Sequence, residues 1–387
     1  MVRSPLFGRR IHIAGSVDLD PTVADPAEVD AARDFVRLLT AELVALGATF
    51  VLPVDRENVR PADGRAICFD WLIWETLDAN LLRRPSAAPE PLAIAVQHHK
   101  TEDQIPPRYE AMWDRLRDSN AVKIENAAQW NMNAKRMELQ ARWGDILIAI
   151  GGGEGVHHLA NLYHDAGKPV VPLMFKLCAP HVGARRLFEF GLASSQTARL
   201  FRTDGALDPQ GWINRLNFGR SDNAKRIATL VALLESLRRP TAFGVRLLDP
   251  SNPEYPAVQD FFDSVVKPVV EDEYGFKLTV VDGRQPYEYN RVDQEIFEKL
   301  HRSRIVVADI TGQRPNCFLE LGYALGRGLP TLLLGKAGIT HPFDLVSLGG
   351  HHWNTTGSAD DRRHEFRTHW EAVRSRPPLV SSEALIP

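Results

Sequence analysis

The 387-residue sequence has only three cysteines, Cys68, Cys178 and Cys317, and they lie far apart. Their odd number and wide spacing give neither a disulfide framework nor a CxxC metal site. No apolar run reaches the ~18 residues that a membrane-spanning helix requires. The first ten residues, Met1 to Arg10, lack the apolar stretch of a signal peptide, so a cytoplasmic, membrane-free location is expected. Charge of one sign is also missing: the formal net charge is −3, with 44% apolar and 25% charged residues. That balance carries no electrostatic footprint for nucleic acid and is ordinary for a globular chain. Neither short-period repeats nor low-complexity segments are visible. At this length, two or three domains are expected.

What is present is alternation. Strands are expected at Ile11–Ala14, Thr49–Pro53, Leu92–Val96, Ala121–Glu125, Asp145–Ile150 and Pro169–Leu173. Helical spacing lies between them: Ala31, Phe35, Leu38, Leu39 and Leu43 share one stripe, and further helices are expected over Phe69–Leu82, Tyr109–Arg117 and Ala128–Trp143. The pattern loses regularity from Cys178 to Phe218. It resumes in a helix over Asp222–Leu237, whose Ile227, Leu230, Leu233 and Leu234 share a face. Arg238-Arg239-Pro240-Thr241 then breaks the pattern and divides the chain into residues 1–238 and 239–387. A second series follows, with strands at Phe243–Leu248, Lys277–Val281, Ile305–Asp309, Pro330–Leu334 and His351–Asn354. Its helices are expected over Val258–Tyr274, Asn290–Arg302, Cys317–Gly328 and Arg362–Arg374. The fold class implied is α/β: two doubly wound parallel-sheet domains in series, the first Rossmann-like and the second flavodoxin-like, with ligand sites at the carboxyl ends of their strands.

In the second series, an apolar strand ends at Asp309, a loop with Gly312 and Pro315 turns the chain, and Asn316 is placed to cap the next helix. Glu320 then falls in that helix's first turn, with Cys317, Phe318, Leu319 and Leu321 around it. A carboxylate there can act on substrate, complement the helix dipole, or be an ordinary solvated residue. Asp309 can bind ribose hydroxyls or merely end a strand and cap a turn. Asp249, after the first strand, is a further candidate for ribose contact. Asp293 and Glu295 read as solvated helix charges.

The stretch from Phe243 to Lys336 resembles the nucleoside deoxyribosyltransferase-like and TIR-like nucleotide-binding domains. The resemblance is carried by Val266-Lys267-Pro268-Val269-Val270, Tyr274-Gly275-Phe276, Asp309-Ile310-Thr311-Gly312, Pro315-Asn316 and Glu320-Leu321-Gly322-Tyr323-Ala324. It implies that Glu320 is the catalytic carboxylate at the anomeric carbon of an N-glycoside, with Asp309, Asn316 and Tyr323 of the matching stretch on the substrate side; Asp249 and Arg314 are further candidates for substrate contact. Such a reaction builds positive charge on C1′ and the ring oxygen, which a nearby carboxylate stabilises or attacks. The deoxyribosyltransferases carry an aspartate six residues before the glutamate, where this chain has Arg314. The change favours NAD or another phosphorylated nucleotide as substrate, since a guanidinium pairs well with phosphate oxygens. No cofactor is implied.

In the first series, Asp145-Ile-Leu-Ile-Ala-Ile-Gly-Gly-Gly-Glu-Gly-Val-His-His-Leu-Ala160 reads as strand, glycine-rich turn and helix start. Consecutive glycines let backbone N–H groups approach an anion, although tight strand-to-helix turns need glycine on steric grounds alone. Gly15-Ser16 reads as a second small-residue turn at the same sheet edge. The span from Ile11 to Leu173 resembles the SLOG superfamily of nucleotide-sensing and phosphoribohydrolase domains. That resemblance implies a phosphate-facing backbone at Gly152, Gly153 and Gly155; Gly15, Ser16 and Glu154 join them as signal-site candidates, and Arg136 and Arg142 supply charge or, as the more ordinary role, form surface salt bridges. The phosphoribohydrolases have threonine and glutamate where this chain has Val156 and Leu159, so binding rather than hydrolysis is expected of this half. His98-His99, His157-His158 and His351-His352 lack partners at metal-ligand spacing, and no metal site is expected. Trp71, Trp74, Trp113, Trp130 and Trp143 read as core.

Together the resemblances imply a sensor joined to an effector, as in Thoeris-type bacterial defence proteins. A nucleotide-derived signal, a nucleotide substrate and a homo-oligomer are the expected partners. Two alternatives remain open at this point: a constitutive nucleoside or nucleotide N-glycosidase or deoxyribosyltransferase, and a non-catalytic nucleotide-binding protein.

Overall fold

The computed structural model describes residues 4–88, 91–98, 102–127, 132–193, 201–202, 208, 211, 214, 216–217, 222–282, 291–339, 345, 349–374 and 376. The chain folds as two compact units, Met1–Arg238 and Arg239–Pro387. Each is an α/β unit whose paired strands are all parallel.

The first unit runs β1 (Arg10–Ser16), α1 (Pro26–Ala45), β2 (Thr49–Pro53), α2 (Asp70–Ala79), β3 (Ala93–Gln97), α3 (Pro107–Asp118), β4 (Val122–Asn126), α4 (Met132–Trp143), β5 (Ile146–Gly151), α5 (Glu154–Asp165), β6 (Val170–Leu173), α6 (Gly183–Ala193) and α7 (Asn223–Ser236). The sheet order is β4-β3-β2-β1-β5-β6, so the winding direction reverses between β1 and β5. All six β5 residues are buried, as a strand covered on both faces requires. Asp25 caps α1 by accepting the Ala27 N–H, and Pro26 occupies the first turn, where its missing donor costs nothing. The stripe Val29, Ala32, Phe35, Val36, Leu39, Leu43 faces the core. In α7, Ile227, Leu230, Leu233 and Leu234 are the buried face. Trp71, Trp74, Trp113 and Trp143 are also buried, Trp74 meeting Trp113 edge-on at 5.3 Å. Trp130 and His99 lie outside the described residues.

Gly15 and Ser16 are not a turn. They are the last residues of β1 and pair with Ile150 and Gly151 of β5. The glycine serves backbone proximity: a Cβ at Gly15 would lie 1.7 Å from the Ile150 carbonyl oxygen.

The second unit runs β7 (Thr241–Val245), α8 (Tyr255–Phe261), β8 (Lys277–Thr279), α9 (Val292–His301), β9 (Ile305–Asp309), α10 (Pro315–Gly326), β10 (Thr331–Lys336), β11 (His351–Trp353) and α11 (Ala359–Val373). Its order, β11-β10-β9-β7-β8, is that of flavodoxin-like sheets, with the reversal between β7 and β9. Beyond α8 the helical path continues to Glu273 with looser π winding (Phe262–Val266 and Pro268–Glu273). Pro268 falls within this stretch and brings no N–H donor to it. Phe261, Val265, Val266 and Val269 still pack inward with Trp353, Phe366 and Trp370.

A methyl group at Gly15 would meet backbone rather than a movable side chain. Gly15→Ala is therefore expected to destabilise the protein at or above the upper end of the ~1–3 kcal/mol typical of overpacking. Urea unfolding would show this as a lowered midpoint, and an unchanged midpoint would contradict the β1–β5 contact described above.

Candidate active site and glycine-rich turn

The carboxyl end of β7 opens into a cavity of about 380 Å³, at the point where the sheet order reverses. Its lining includes Arg246 and Asp249 after β7, Ile296 of α9, and Arg314, Asn316 and Glu320 around α10. Pro315 opens α10, and Arg314, with extended backbone, occupies the capping position without a side-chain cap bond. Asn316 is thus one residue inside the helix and does not cap it. Glu320 is in the second turn rather than the first, so the helix dipole contributes little to its energy. Instead Glu320 is half-buried, and burial pushes its carboxyl up to about 7. Cys317, one turn earlier on the same face, is buried, and its thiol is pushed up to about 12, mainly by burial.

Asp249 and Arg314 meet each other in the cavity wall: Arg314 Nη1 donates to Asp249 Oδ2 at 2.6 Å. The other oxygen, Oδ1, accepts the Ser251 hydroxyl at 2.7 Å and the Ser251 N–H at 3.0 Å. These Ser251 bonds first, and Arg314 second, hold the Asp249 carboxyl below its usual value. Arg246 had no motif to reveal it. Its Nη1 donates to Gln259 Oε1 at 2.8 Å, its guanidinium lies 5.2 Å from the Phe262 ring centre, and its Nε is buried without an acceptor among the described residues. The only signal available was its position one residue past a strand at the sheet's carboxyl edge.

Two expected substrate contacts lie elsewhere. Asp309 is fully buried and outside the cavity lining. Its Oδ1 accepts the Thr311 N–H at 2.9 Å, and its Oδ2 accepts Trp353 Nε1–H at 2.6 Å. Burial nevertheless raises its carboxyl to about 6. Of the two roles open to it, the structural one fits these contacts. Tyr323, on α10, hydrogen-bonds through its hydroxyl to His301 Nδ1 at 2.8 Å and packs edge-on against Phe297. It points to α9 rather than the cavity. Asp293 pairs with Arg291 at the surface, but Glu295 is fully buried against Lys299 Nζ at 2.5 Å and is not a solvated charge.

In the first unit, Gly151 and Gly152 take positive φ (63° and 79°), Gly153 precedes α5, and Glu154 and Gly155 begin that helix. The turn is tight because α6 lies against it: a Cβ at Gly183 would fall 2.1 Å from the Gly152 oxygen and 2.4 Å from the Gly151 oxygen. The Gly152 N–H is taken by the Ser16 carbonyl at 2.7 Å, so this amide is not offered to an anion. Glu154 is exposed and 3.5 Å from His157. Arg136 is ion-paired with Asp55 past the end of β2, beside Cys68 and Asp70, while Arg142 is exposed. Burial raises Asp70 to about 7. Steric need accounts for Gly151, Gly152 and Gly183, whereas a Cβ at Gly153 would meet no atom within 4 Å. Among the described residues, no group of three His, Cys, Asp or Glu side chains is placed to hold a metal ion, and no helix is long and apolar enough to cross a membrane.

Two parallel α/β units, one with a carboxylate-bearing cavity at its switch point, place a candidate ligand site where open parallel sheets bind ligands. The chain belongs to the family described as ATP nucleosidase Cap17-like, N-terminal, which matches residues 6–234. A crystal structure of a conserved protein from Enterococcus faecalis V583 is similar at 14% identity, covering 34% of this chain and 98% of that one with a TM-score of 0.23. No curated protein matches the chain.

The raised Glu320 carboxyl has a thermodynamic consequence. Between its ordinary value of 4.5 and about 7, the folded state binds the proton more tightly than the unfolded state. Stability from this group is therefore present at low pH and is lost as pH rises through about 7. Glu320→Gln carries no such loss. Relative to wild type it should gain ~1–3 kcal/mol between pH 5 and pH 8, read from urea midpoints at both values. A gap independent of pH would place Glu320 in water.

Proposed function

We propose that this protein is a nucleotide N-glycosidase of bacterial antiviral defence. Its C-terminal unit cleaves the base–sugar bond of NAD or a related nucleotide, and its N-terminal unit reads a nucleotide-derived signal. The observation that carries the catalytic part is the half-buried Glu320 in a cavity at a sheet switch point, with two guanidinium groups, Arg246 and Arg314, in the same wall. The family's description as ATP nucleosidases supports the reaction class.

As the C1′–N bond breaks, its electron pair stays on the base nitrogen and positive charge develops on C1′ and the ring oxygen. Ionised Glu320 stabilises that charge, and water then adds to C1′ and releases a proton. Low dielectric in a partly closed cavity strengthens the interaction. Among the described lining residues, Asp249 is held ionised, which leaves Glu320 itself as the only carboxyl whose proton is available near neutrality. Nicotinamide leaves NAD without needing a proton, whereas adenine leaving ATP needs one. The lining therefore favours a cationic leaving base, while the family description points to ATP. Coupling between the units requires the signal to bind an active assembly more tightly than an inactive one, and a homo-oligomer is a natural form of that assembly.

A second reading rests on the extent of the family match, which lies within the unit that lacks Glu320. There, half-buried Asp70, raised to about 7, is the candidate carboxylate.

Base release from NAD, ATP and nucleosides, followed chromatographically with and without extract from phage-infected cells, separates these readings. Under the first, wild type releases base only with extract, and Glu320→Gln loses at least ~100-fold, on the scale of a lost electrostatic catalytic group. The rate should rise with pH through about 7, because the ionised form acts. If Asp70→Asn removes activity and Glu320→Gln does not, the chemistry belongs to the N-terminal unit. Release without extract would mark a constitutive enzyme.

A further inference from the structure

A second cavity, of about 560 Å³, lies wholly in the N-terminal unit and plays no part in the reading of Glu320. It is bounded by the approach to α1 (Thr22, Asp25, Glu28), by the segment leaving β6 (Phe175, Lys176) and by Arg226 of α7. Both β1 and β6 deliver their chains to the carboxyl edge of the sheet, where parallel α/β units hold ligands. The volume is in the range of small-molecule pockets.

Arg226 is the unusual group. Its guanidinium lies 4.4 Å from the Phe175 ring centre and 5.2 Å from that of Phe35, and the two rings are themselves 5.3 Å apart. Stacking on two aromatic faces fixes the plane of the cation and leaves its N–H rim for planar anions. No acceptor among the described residues takes that rim: Glu28 acts on Arg226 only at a distance, and no ion pair joins them. A half-buried guanidinium without an acceptor carries a desolvation cost that an anionic ligand would offset. Lys176, exposed at the same mouth, is likewise without a carboxylate partner. Asp25 is occupied at one oxygen by the Ala27 N–H, whereas Glu28 is free to accept a hydroxyl.

We propose that this cavity is a ligand site of the N-terminal unit, and that it takes a phosphorylated nucleoside. Arg226 and Lys176 hold the phosphate, and Glu28 accepts a sugar hydroxyl. Acidic lining selects against a bare polyanion and for a ligand that also brings hydroxyl donors.

The test is calorimetric titration of the full chain carrying Glu320→Gln and Arg314→Gln, which removes the proposed catalytic carboxylate and weakens phosphate contact in the C-terminal cavity. The probes are ATP, adenosine and inorganic tripolyphosphate. ATP should bind, adenosine should bind at least about tenfold more weakly, and Arg226→Gln should weaken ATP about tenfold or more. Because Arg226 packs on two core rings, Lys176→Gln at an exposed position provides a variant free of folding effects and should weaken ATP about threefold. Unchanged ATP affinity in Lys176→Gln, or adenosine binding as tightly as ATP, would overturn the proposal. So would tripolyphosphate binding as tightly as ATP, since Glu28 would then have no role. Binding is read directly, so a chain that releases no base from any substrate leaves this result standing.

Discussion

The C-terminal unit depends on a fully buried carboxylate, Asp309. Asp309 ends the central strand β9 and accepts one hydrogen bond from Trp353 of edge strand β11 and another from the Thr311 backbone. The Thr311 hydroxyl in turn accepts the Lys336 N–H at the end of β10. Three neighbouring strands and the loop entering α10 are thus tied at one point. Trp353 is itself stacked on Phe261 at 4.4 Å, which anchors the knot in the helical layer. A low-dielectric interior makes each of these bonds strong and makes a missing one costly. The direction in which α10 leaves the sheet follows from this arrangement, and with it the position of Glu320.

Most of the architecture was legible because parallel strands buried on both faces are short apolar runs, and amphipathic helices separate them. Thr49–Pro53 and Ile305–Asp309 were readable to the residue. Gly15-Ser16 was not, because local pattern cannot distinguish a glycine that bends the chain from one that admits a neighbouring strand. Only the pairing of β1 with β5, more than a hundred residues apart in sequence, decides that. Asn316 has the composition of a cap, but Pro315 fixes a helical φ one residue earlier and moves the boundary to Arg314. That one-residue shift also moves Glu320 from the first turn to the second.

The candidate site was legible in its central carboxylate and less so in its surroundings. Glu320 and Asn316 do line the cavity, and Asp249 and Arg314 do so as a pair bound to each other rather than as two independent contacts. Asp309 and Tyr323 share the motif but not the cavity, since one points into the core and the other toward α9. Arg246 and Arg226 were invisible for a common reason. A lone arginine outside any motif declares itself only when tertiary packing sets it against an aromatic face beside open volume.

The apolar cores bear on inheritance. In the described residues, the largest cluster of the first unit ends at Leu237, and those of the second begin at Ala242 and Phe243, with no side chain shared. Recombination in the short stretch between them would leave each of these clusters with all of its own members. A gene built this way can exchange one half for a different enzyme or a different detector in a single event, without a compensating change in the half that is kept.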